Sequence, residues 1–596
     1  MSEPSAIVED RPTASRVGFL GVCLLLAVAP FETSRPVLTL PGQSVSTVEL
    51  VLVAVIAVWL AATLRMRASR ERARSGVAAG GTAALTLPWL VLIAAMLLAA
   101  TLAPTDRANA LHMVGRLGVA FVIYLIAKSA ITTSAGASRI MLAAGLSGVV
   151  AGSLVIAEFW GLGPVLDFLR LFRPAPAVVG VQIRAAGPFQ YPTIASMYLE
   201  IVFALVLAFI PVAFQSRTPL RAAALLVLLL LLAEAITLTF TRAGLLTMLV
   251  SLTIVGGVRV VSRGVDRGAI GVAAVGAGVV LATLLSRSGE SLWLRLTSQE
   301  QSGWYAAQIE APTHLEITAG GVSTFPVTLT NTGRSSWVPD QQRPFSLAYH
   351  WLTESNHIVE WEGRRTRLPA TVGPGQRVTL DAAVAAPSRP GNYHLLWDVV
   401  QEHGVWFSTE PEVPWTISRA SVTGSATEAP RDADRLLIRR RPPPGRWVLW
   451  RAAWQMLAQR PLTGVGPDNF RLRYGEFAGQ PVADPRIHSN NMYVEMVAGG
   501  GLIGGLAFLW LCWRAAGRTF QLVRDVSGPG PDTTRSESVA RREAVATGLA
   551  AALAAVAVHG LVDAFVSFTP VYVLMAVTLG LSDAHYGGTE PDAHRV

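Results

Sequence analysis

Long apolar runs separated by short polar segments make up most of this chain. A helix needs about 20 apolar residues to cross the hydrocarbon core of a bilayer. Twelve runs approach that length: 17–30, 47–64, 85–103, 111–128, 140–158, 192–214, 220–240, 243–261, 268–285, 491–513, 543–562 and 564–582. The first has no small-residue cleavage site after it, so it reads as a retained helix and not as a removed signal peptide. One long polar stretch, 286–490, interrupts the series. Within it, 312–419 switches to alternating periodicity, with expected strands at 314–318, 322–330, 345–352, 357–361, 377–384, 392–400 and 412–417. Turn signals fall at Asn331-Thr332-Gly333, Gly373-Pro374-Gly375 and Arg389-Pro390-Gly391.

The pattern predicts an α-helical polytopic membrane protein of about 12 transmembrane helices with an inserted, external β-sandwich of immunoglobulin-like type. Four regions follow: 1–285, an N-terminal membrane domain of about nine spans; 286–445, an insertion holding the sandwich and a linker (420–445) with Pro442-Pro443-Pro444; 446–490, an external amphipathic helix and loop; and 491–596, a C-terminal membrane domain of about three spans. In 446–457, Trp447, Trp450, Trp454 and Leu457 recur at helical spacing. A second amphipathic candidate runs from Val165 to Arg173 and carries Asp167 and Arg170. In the sandwich, Trp337, Trp351, Trp361, Trp397, Trp406 and Trp415 are either core residues or a carbohydrate platform.

Composition agrees. Charged residues are 15% of the 596, against about 25% in soluble domains, and the mean hydropathy is +0.43. Disordered chains are excluded by this apolar content. Cys23 and Cys512 both lie in apolar runs, which excludes a disulfide scaffold. The net charge of +9 is almost wholly arginine, the lone lysine being Lys128. Nucleic-acid binding is disfavoured, because the arginines sit in short segments between apolar runs. Arg65, Arg67, Arg70, Arg72 and Arg74 follow the second run. Arg259, Arg263 and Arg267 follow the eighth, and Arg514, Arg518, Arg524, Arg535, Arg541 and Arg542 follow the tenth. All three clusters fall on one side if both termini are cytoplasmic. The corners near 184, 242, 488 and 563 are then external.

Three of these corners carry chemistry. Arg242 is wedged between two apolar runs on the side where the charge rule does not ask for arginine. It either snorkels to lipid phosphate or faces a polar cavity. Arg184 precedes the sixth run in Ile183-Arg184-Ala185-Ala186-Gly187-Pro188-Phe189-Gln190-Tyr191-Pro192. Two such arginines suit a diphosphate, whose oxygens a guanidinium binds bidentately. His488, in His488-Ser489-Asn490-Asn491-Met492-Tyr493-Val494-Glu495, can move a proton near neutral pH or simply sit at headgroup level. His559 and Asp563, four apart at the end of the eleventh run, are a further acid/base pair or a structural one.

The C-terminal motifs resemble the O-antigen ligase/polymerase superfamily of polytopic glycosyltransferases. The resemblance rests on Trp447, Trp450 and Ala453, on Arg460-Pro461-Leu462-Thr463-Gly464-Val465-Gly466-Pro467-Asp468-Asn469-Phe470, on His488 to Glu495, and on Gly501-Leu502-Ile503-Gly504. The Arg184 and Arg242 segments are similar to that family's two external arginine motifs. The resemblance implies transfer of a glycan from a polyprenyl-pyrophosphate (undecaprenyl-type) carrier at the external face of the cytoplasmic membrane. The acceptor would be a glycolipid, polysaccharide or protein, and no cofactor or metal would be needed. Arg184 and Arg242 would hold the diphosphate, and His488 would act as base. Asn490, Asn491, Tyr493, Glu495, His559 and Asp563 are possible supporting residues. The family's histidine often directly precedes an asparagine, whereas His488 lies two residues before Asn490. His488 therefore serves from a shifted position, or Tyr493 and Glu495 are its nearest substitutes. A ligase and a polymerase share this donor chemistry. The reading from another class is a transporter or flippase of lipid-linked glycans, which would show internal repeats and more buried acids than Glu200 and Glu234.

Overall fold

The structure is a computed structural model that describes residues 13–34, 37–40, 43–71, 84–173, 177–179, 182–215, 218–285, 303–339, 344–402, 405–410, 413–424, 444–480, 483–526 and 537–586. It contains two compact units: 1–177, 184–287 and 444–596 form one, and 178–183 with 288–443 form the other.

The first unit is helical. Its helices are α1 (Thr13–Val28), α2 (Thr47–Glu71), α3 (Thr86–Thr101), α4 (Arg107–Ala130), α5 (Ser134–Phe159), α6 (Gly163–Leu169), α7 (Pro192–Leu207) and α8 (Ile210–Gln215). They are followed by α9 (Pro219–Leu238), α10 (Arg242–Arg263), α11 (Arg267–Leu285), α12 (Arg446–Gln459), α13 (Phe470–Ala478), α14 (Met492–Val526), α15 (Glu537–His559) and α16 (Thr569–Ser582). Among the described residues, nine helices are long and apolar enough to cross a membrane. Three shorter apolar helices, Ser15–Phe31, Thr86–Thr101 and Thr569–Ser582, fall on the remaining expected runs. The chain is a multi-pass membrane protein.

The centre of the bundle is α7. All of its residues except Thr193 are buried, and it packs against α5, α9, α10 and α15. Most buried charges among the described residues of the bundle are paired, as a low-dielectric interior favours. The chain's one lysine, Lys128 of α4, meets Asp583 at 2.6 Å, and Tyr124 donates to the same carboxylate at 2.6 Å. Arg259 of α10 pairs with Asp266 and with Glu543 of α15.

The longest helix, α14, is broken at Gly501 (φ 62°, ψ −164°). The loop between α12 and α13 fills the break. The N–H groups of Val465 and Gly466 donate to the carbonyls of Ala498 and Gly499 at 3.0 and 2.9 Å. In return, the N–H groups of Leu502 and Ile503 donate to Pro461 and Leu462 at 2.8 and 3.2 Å. Irregular backbone in an apolar bundle persists only when its polar groups find such partners. This exchange explains Gly464 and Gly501 of the 460–466 and 501–504 motifs. A Cβ on Gly501 would lie 2.3 Å from Leu462, and one on Gly464 would lie 2.3 Å from the Ala498 carbonyl.

The amphipathic helix α12 forms where its spacing predicts, but with a different face inward. Leu449, Ala452, Ala453 and Met456 pack on Phe470, Tyr474 and Ala498. Trp447 and Trp454 point outward, 81% and 64% exposed. Trp450 stays half-buried against this cluster, while Trp447 and Trp454 give way to a stripe of Leu, Ala and Met side chains that lets α12 approach its neighbours closely. The Val165–Arg173 candidate shortens to α6, and Arg173 turns inward to be 6% exposed.

In the second unit, two sheets share one hydrophobic core built on Trp337, Trp351, Trp397, Phe345 and Phe407. The strands, numbered after the short pairs β1–β2 (Leu38–Leu40, Gln43–Val45) and β3–β4 (Ala177–Val179, Gln182–Arg184), are β5 (Ala307–Glu310), β6 (His314–Thr318), β7 (Val322–Asn331), β8 (Phe345–Thr353), β9 (Ile358–Glu360), β10 (Thr366–Arg367), β11 (Arg377–Ala385), β12 (Gly391–Gln401) and β13 (Thr416–Thr423). One sheet runs β10-β8-β12-β13-β6 with β9 beside β8, and the other runs β11-β7-β5. The strand expected at 412–417 is instead Thr416–Thr423, because Pro414 has no N–H for a ladder. β5 and β10 are short edge strands without alternation long enough to read. Most of the 420–445 linker lies outside the described residues. Trp337, Trp351 and Trp397 are core, while Trp361, Trp406 and Trp415 are half-buried, Trp361 stacking on His350 at 3.7 Å.

Gly501→Ala tests the break in α14. Backbone strain of about 1–3 kcal/mol should add to an overpacking cost of about 1–3 kcal/mol. The expected result is a clearly lowered thermal unfolding midpoint in detergent. An unchanged midpoint would mean that the loop does not fill the break as described.

Candidate functional site

Arg184 ends β4, immediately before the turn that leads into α7. Its guanidinium is 4% exposed. Nε donates to the Thr239 carbonyl at 2.8 Å, Nη1 to Tyr191 Oη at 3.4 Å, and Nη2 to Thr193 and Thr241 hydroxyls at 3.4 and 3.3 Å. The Tyr191 ring lies under it, 5.3 Å from the guanidinium carbon. Burial lowers the affinity of Arg184 for its proton, while Tyr191 and Asp563 oppose that. The backbone is tied at the same place, Ala185 N–H donating to Leu238 at 3.1 Å.

The Thr239–Thr241 corner that receives Arg184 is also the corner that starts α10. Arg242 is the first residue of α10 and is exposed. Phe240 takes a left-handed φ of 53°, which turns the chain with almost no loop. Arg184 thus bonds the hydroxyl of Thr241, the residue that precedes Arg242 in the chain.

The 488–495 segment forms a second cluster. His488 Nδ1 is 3.1 Å from Glu495 Oε1, and Ser489 N–H donates to Glu495 Oε2 at 2.8 Å. Asn490 takes the left-handed φ of 53° that turns the segment back on itself. Asn491 caps α14: its Oδ1 accepts from the N–H groups of Tyr493 and Val494, both at 3.0 Å. Its Nδ2 and Tyr493 Oη reach the carbonyls of Leu561 and Ala557 at 2.9 and 3.0 Å. Trp450 of α12 donates to the Ser489 carbonyl at 2.9 Å. His488 and Glu495 line a mostly apolar cleft with Met96, Met113, Leu117 and Met496.

Burial pushes the His488 proton affinity down, but the Glu495 carboxylate outweighs it, so His488 titrates above its ordinary value. A histidine pKa raised by folding stabilises the fold fully below the unfolded value, and this stabilisation is lost as pH rises through the folded one.

α15 ends at His559, and Asp563 N–H closes one more turn onto the His559 carbonyl at 3.1 Å. No hydrogen bond or ion pair between the two side chains is found among the described residues. His559 Nδ1 instead meets Glu200 of α7 at 2.8 Å, and Ser196 bonds the other Glu200 oxygen. The Asp563 carboxylate is pushed up by burial, against the pull of His559, His488 and Arg446. It also stabilises the Arg184 charge. Among the described residues, no three His, Cys, Asp or Glu side chains are grouped to hold a metal.

The residues that sequence reasoning did not single out are Tyr191, Thr193, Thr239, Thr241, Glu158 and Asn109. Tyr191 and the threonines adjoin the two arginines in sequence, which was the available signal. Asn109 offered none. It bonds Asp468 at 3.2 Å and Asn469 at 3.0 Å, anchoring the 460–470 loop to α4.

Residues 420–509 match the O-antigen ligase family model. The stretch runs from the end of β13 through α12, α13 and the His488 segment into α14, past its break. The chain is thus a multi-pass membrane protein with a segment similar to the O-antigen ligase family, and the match bears out the resemblance of its motifs to that superfamily. No curated protein matches the chain. Among solved structures, the ASH/PapD-like domain of human CEP192 (PapD-like domain 7) is similar at 13% identity over 22% of this chain and 94% of that one, with a TM-score of 0.12. Pseudomonas fluorescens alkylpurine DNA glycosylase AlkC bound to DNA containing an abasic site analog is similar at 10% identity over 58% of this chain and 100% of that one, with a TM-score of 0.13. Likenesses at these scores bear on neither fold nor function.

Glu495→Gln should return the His488 titration toward about 6.5, the value of a free histidine. The pH dependence of diethylpyrocarbonate modification, followed on the peptide containing His488, measures this. A midpoint that stays put would remove Glu495 as the cause.

Proposed function

We propose that this protein is a glycosyltransferase of the O-antigen ligase type, moving a glycan from a polyprenyl-pyrophosphate carrier to an acceptor at the external face of the cytoplasmic membrane. The observation that carries the reading is the arginine corner. Arg184 is docked on Thr239 and on Thr241, the residue before Arg242, in a chain whose C-terminal part matches the family. The three hydroxyl contacts of Arg184 are long, at 3.3–3.4 Å, so phosphate oxygens can replace them at little cost.

In this mechanism Arg184 and Arg242 bind the diphosphate and take up the charge that develops as the bond from the anomeric carbon to the phosphate oxygen breaks. His488, oriented by Glu495, accepts the proton of the acceptor hydroxyl as its oxygen bonds the anomeric carbon. The electron pair of the broken bond leaves with the polyprenyl pyrophosphate. The arginines carry the positive charge for this step. Asn491 and Tyr493 hold the His488 segment to the end of α15, and Asn490 turns it. The polymerase reading uses the same groups with a growing chain as acceptor.

The three shorter apolar helices complete twelve spans, with both termini cytoplasmic. The two-sheet unit is an immunoglobulin-like module on the external side. The arginine clusters and the shared core of the two sheets support this arrangement.

Arg184→Lys and Arg242→Lys should each lower transfer about 10²–10³-fold, because lysine lacks the planar fork. His488→Ala should lower it about 10²–10⁴-fold with donor binding retained. Transfer from a polyprenyl-pyrophosphate glycan by purified variants measures this, and near-full activity in His488→Ala would remove it as the base. In intact cells, cysteine at Glu354 should react with an impermeant thiol reagent and cysteine at Asp525 should not, over the Cys23 and Cys512 background. The opposite pattern would invert the topology.

A further inference from the structure

Glu158 lies in the last turn of α5 and is fully buried. Its two oxygens are used differently. Oε2 accepts from two successive backbone N–H groups, Ala186 at 2.9 Å and Gly187 at 2.7 Å. Oε1 pairs with Arg173, which is itself buried. Gly187 has a φ of 56°, so the two N–H groups converge on one point. Such a backbone nest ordinarily captures an anion, and here the anion is a side chain of the protein.

The segment held this way is the one that carries Arg184. Its backbone is tied once to the end of α9, through Ala185 and Leu238, and twice to Glu158, besides the bonds of the Arg184 side chain to Thr239 and Thr241. A Cβ on Gly187 would come within 2.8 Å of Val155 and 3.1 Å of the Ala151 carbonyl, so the turn is pressed against α5. An ion pair that served only to join helices would not need to give one carboxylate oxygen wholly to a turn.

We propose that Glu158, with Arg173 as its counter-ion, is the positioning residue for Arg184. It fixes the place at which the guanidinium is presented. The inference rests on the diphosphate reading of the two arginines. Losing the carboxylate releases the nest, lets the turn lift from α5 and misplaces the guanidinium. A displacement of about 1 Å can cost about 10²-fold in a positioned site.

The test compares binding of undecaprenyl pyrophosphate and of undecaprenol to the purified full-length protein in detergent. The wild type should prefer the diphosphate lipid. Glu158→Ala should lose most of that preference while binding undecaprenol as before. Glu158→Gln should keep the larger part, since its amide oxygen still accepts from the nest. Gly187→Ala displaces the same turn with the ion pair intact and should mimic Glu158→Ala; it carries the test if Glu158→Ala does not fold. Full preference in folded Glu158→Ala or in Gly187→Ala would overturn the positioning role, and so would an equal loss for both lipids. A wild type that shows no preference for the diphosphate would instead overturn the donor reading on which the role rests.

Discussion

The pairing of charges inside an apolar bundle is the constraint on which this structure depends. An isolated charge in such an interior costs several kcal/mol, and breaking a pair costs about 3–5 kcal/mol. The helical unit meets that cost with a small set of contacts: Lys128 with Asp583, Arg259 with Glu543, Glu158 with Arg173, Glu200 with His559 and Glu495 with His488. Most of these join distant segments, so they decide which helices can be neighbours. The apolar surfaces alone are too uniform to do so, because one leucine-rich face packs on another about equally well.

The same constraint applies to the backbone. The break in α14 frees two carbonyls and two N–H groups, and the 461–466 loop satisfies all four. That loop is then anchored to the start of α4 by Asn109, Asp468 and Asn469. A family motif that reads as a scatter of glycines, proline and asparagine is in physical terms one plug and its anchor. The His488 segment begins the helix that this plug completes, so the position of the histidine inherits the fit of the loop.

Charge pairing also separates the two histidines. His559 is 2% exposed and held by Glu200 in the central helix, whereas His488 lines a cleft. Spacing set His559 near Asp563 and gave no hint of Glu200. The helix ends at His559, and its partner comes from a residue 359 positions earlier.

The sequence by itself determined the membrane-embedded helices, the switch to strand periodicity and the family motifs. These are properties of short windows: an apolar run or an alternation is complete within its own residues. Only the tertiary structure decided which polar groups meet. Nothing near Glu158 in the sequence points to Ala186 and Gly187. Nothing in α12 says that Leu449, Ala452, Ala453 and Met456 face inward while Trp447 and Trp454 do not. Such choices depend on which surfaces can approach closely and which buried groups remain to be satisfied. That is settled only when all the helices are packed at once.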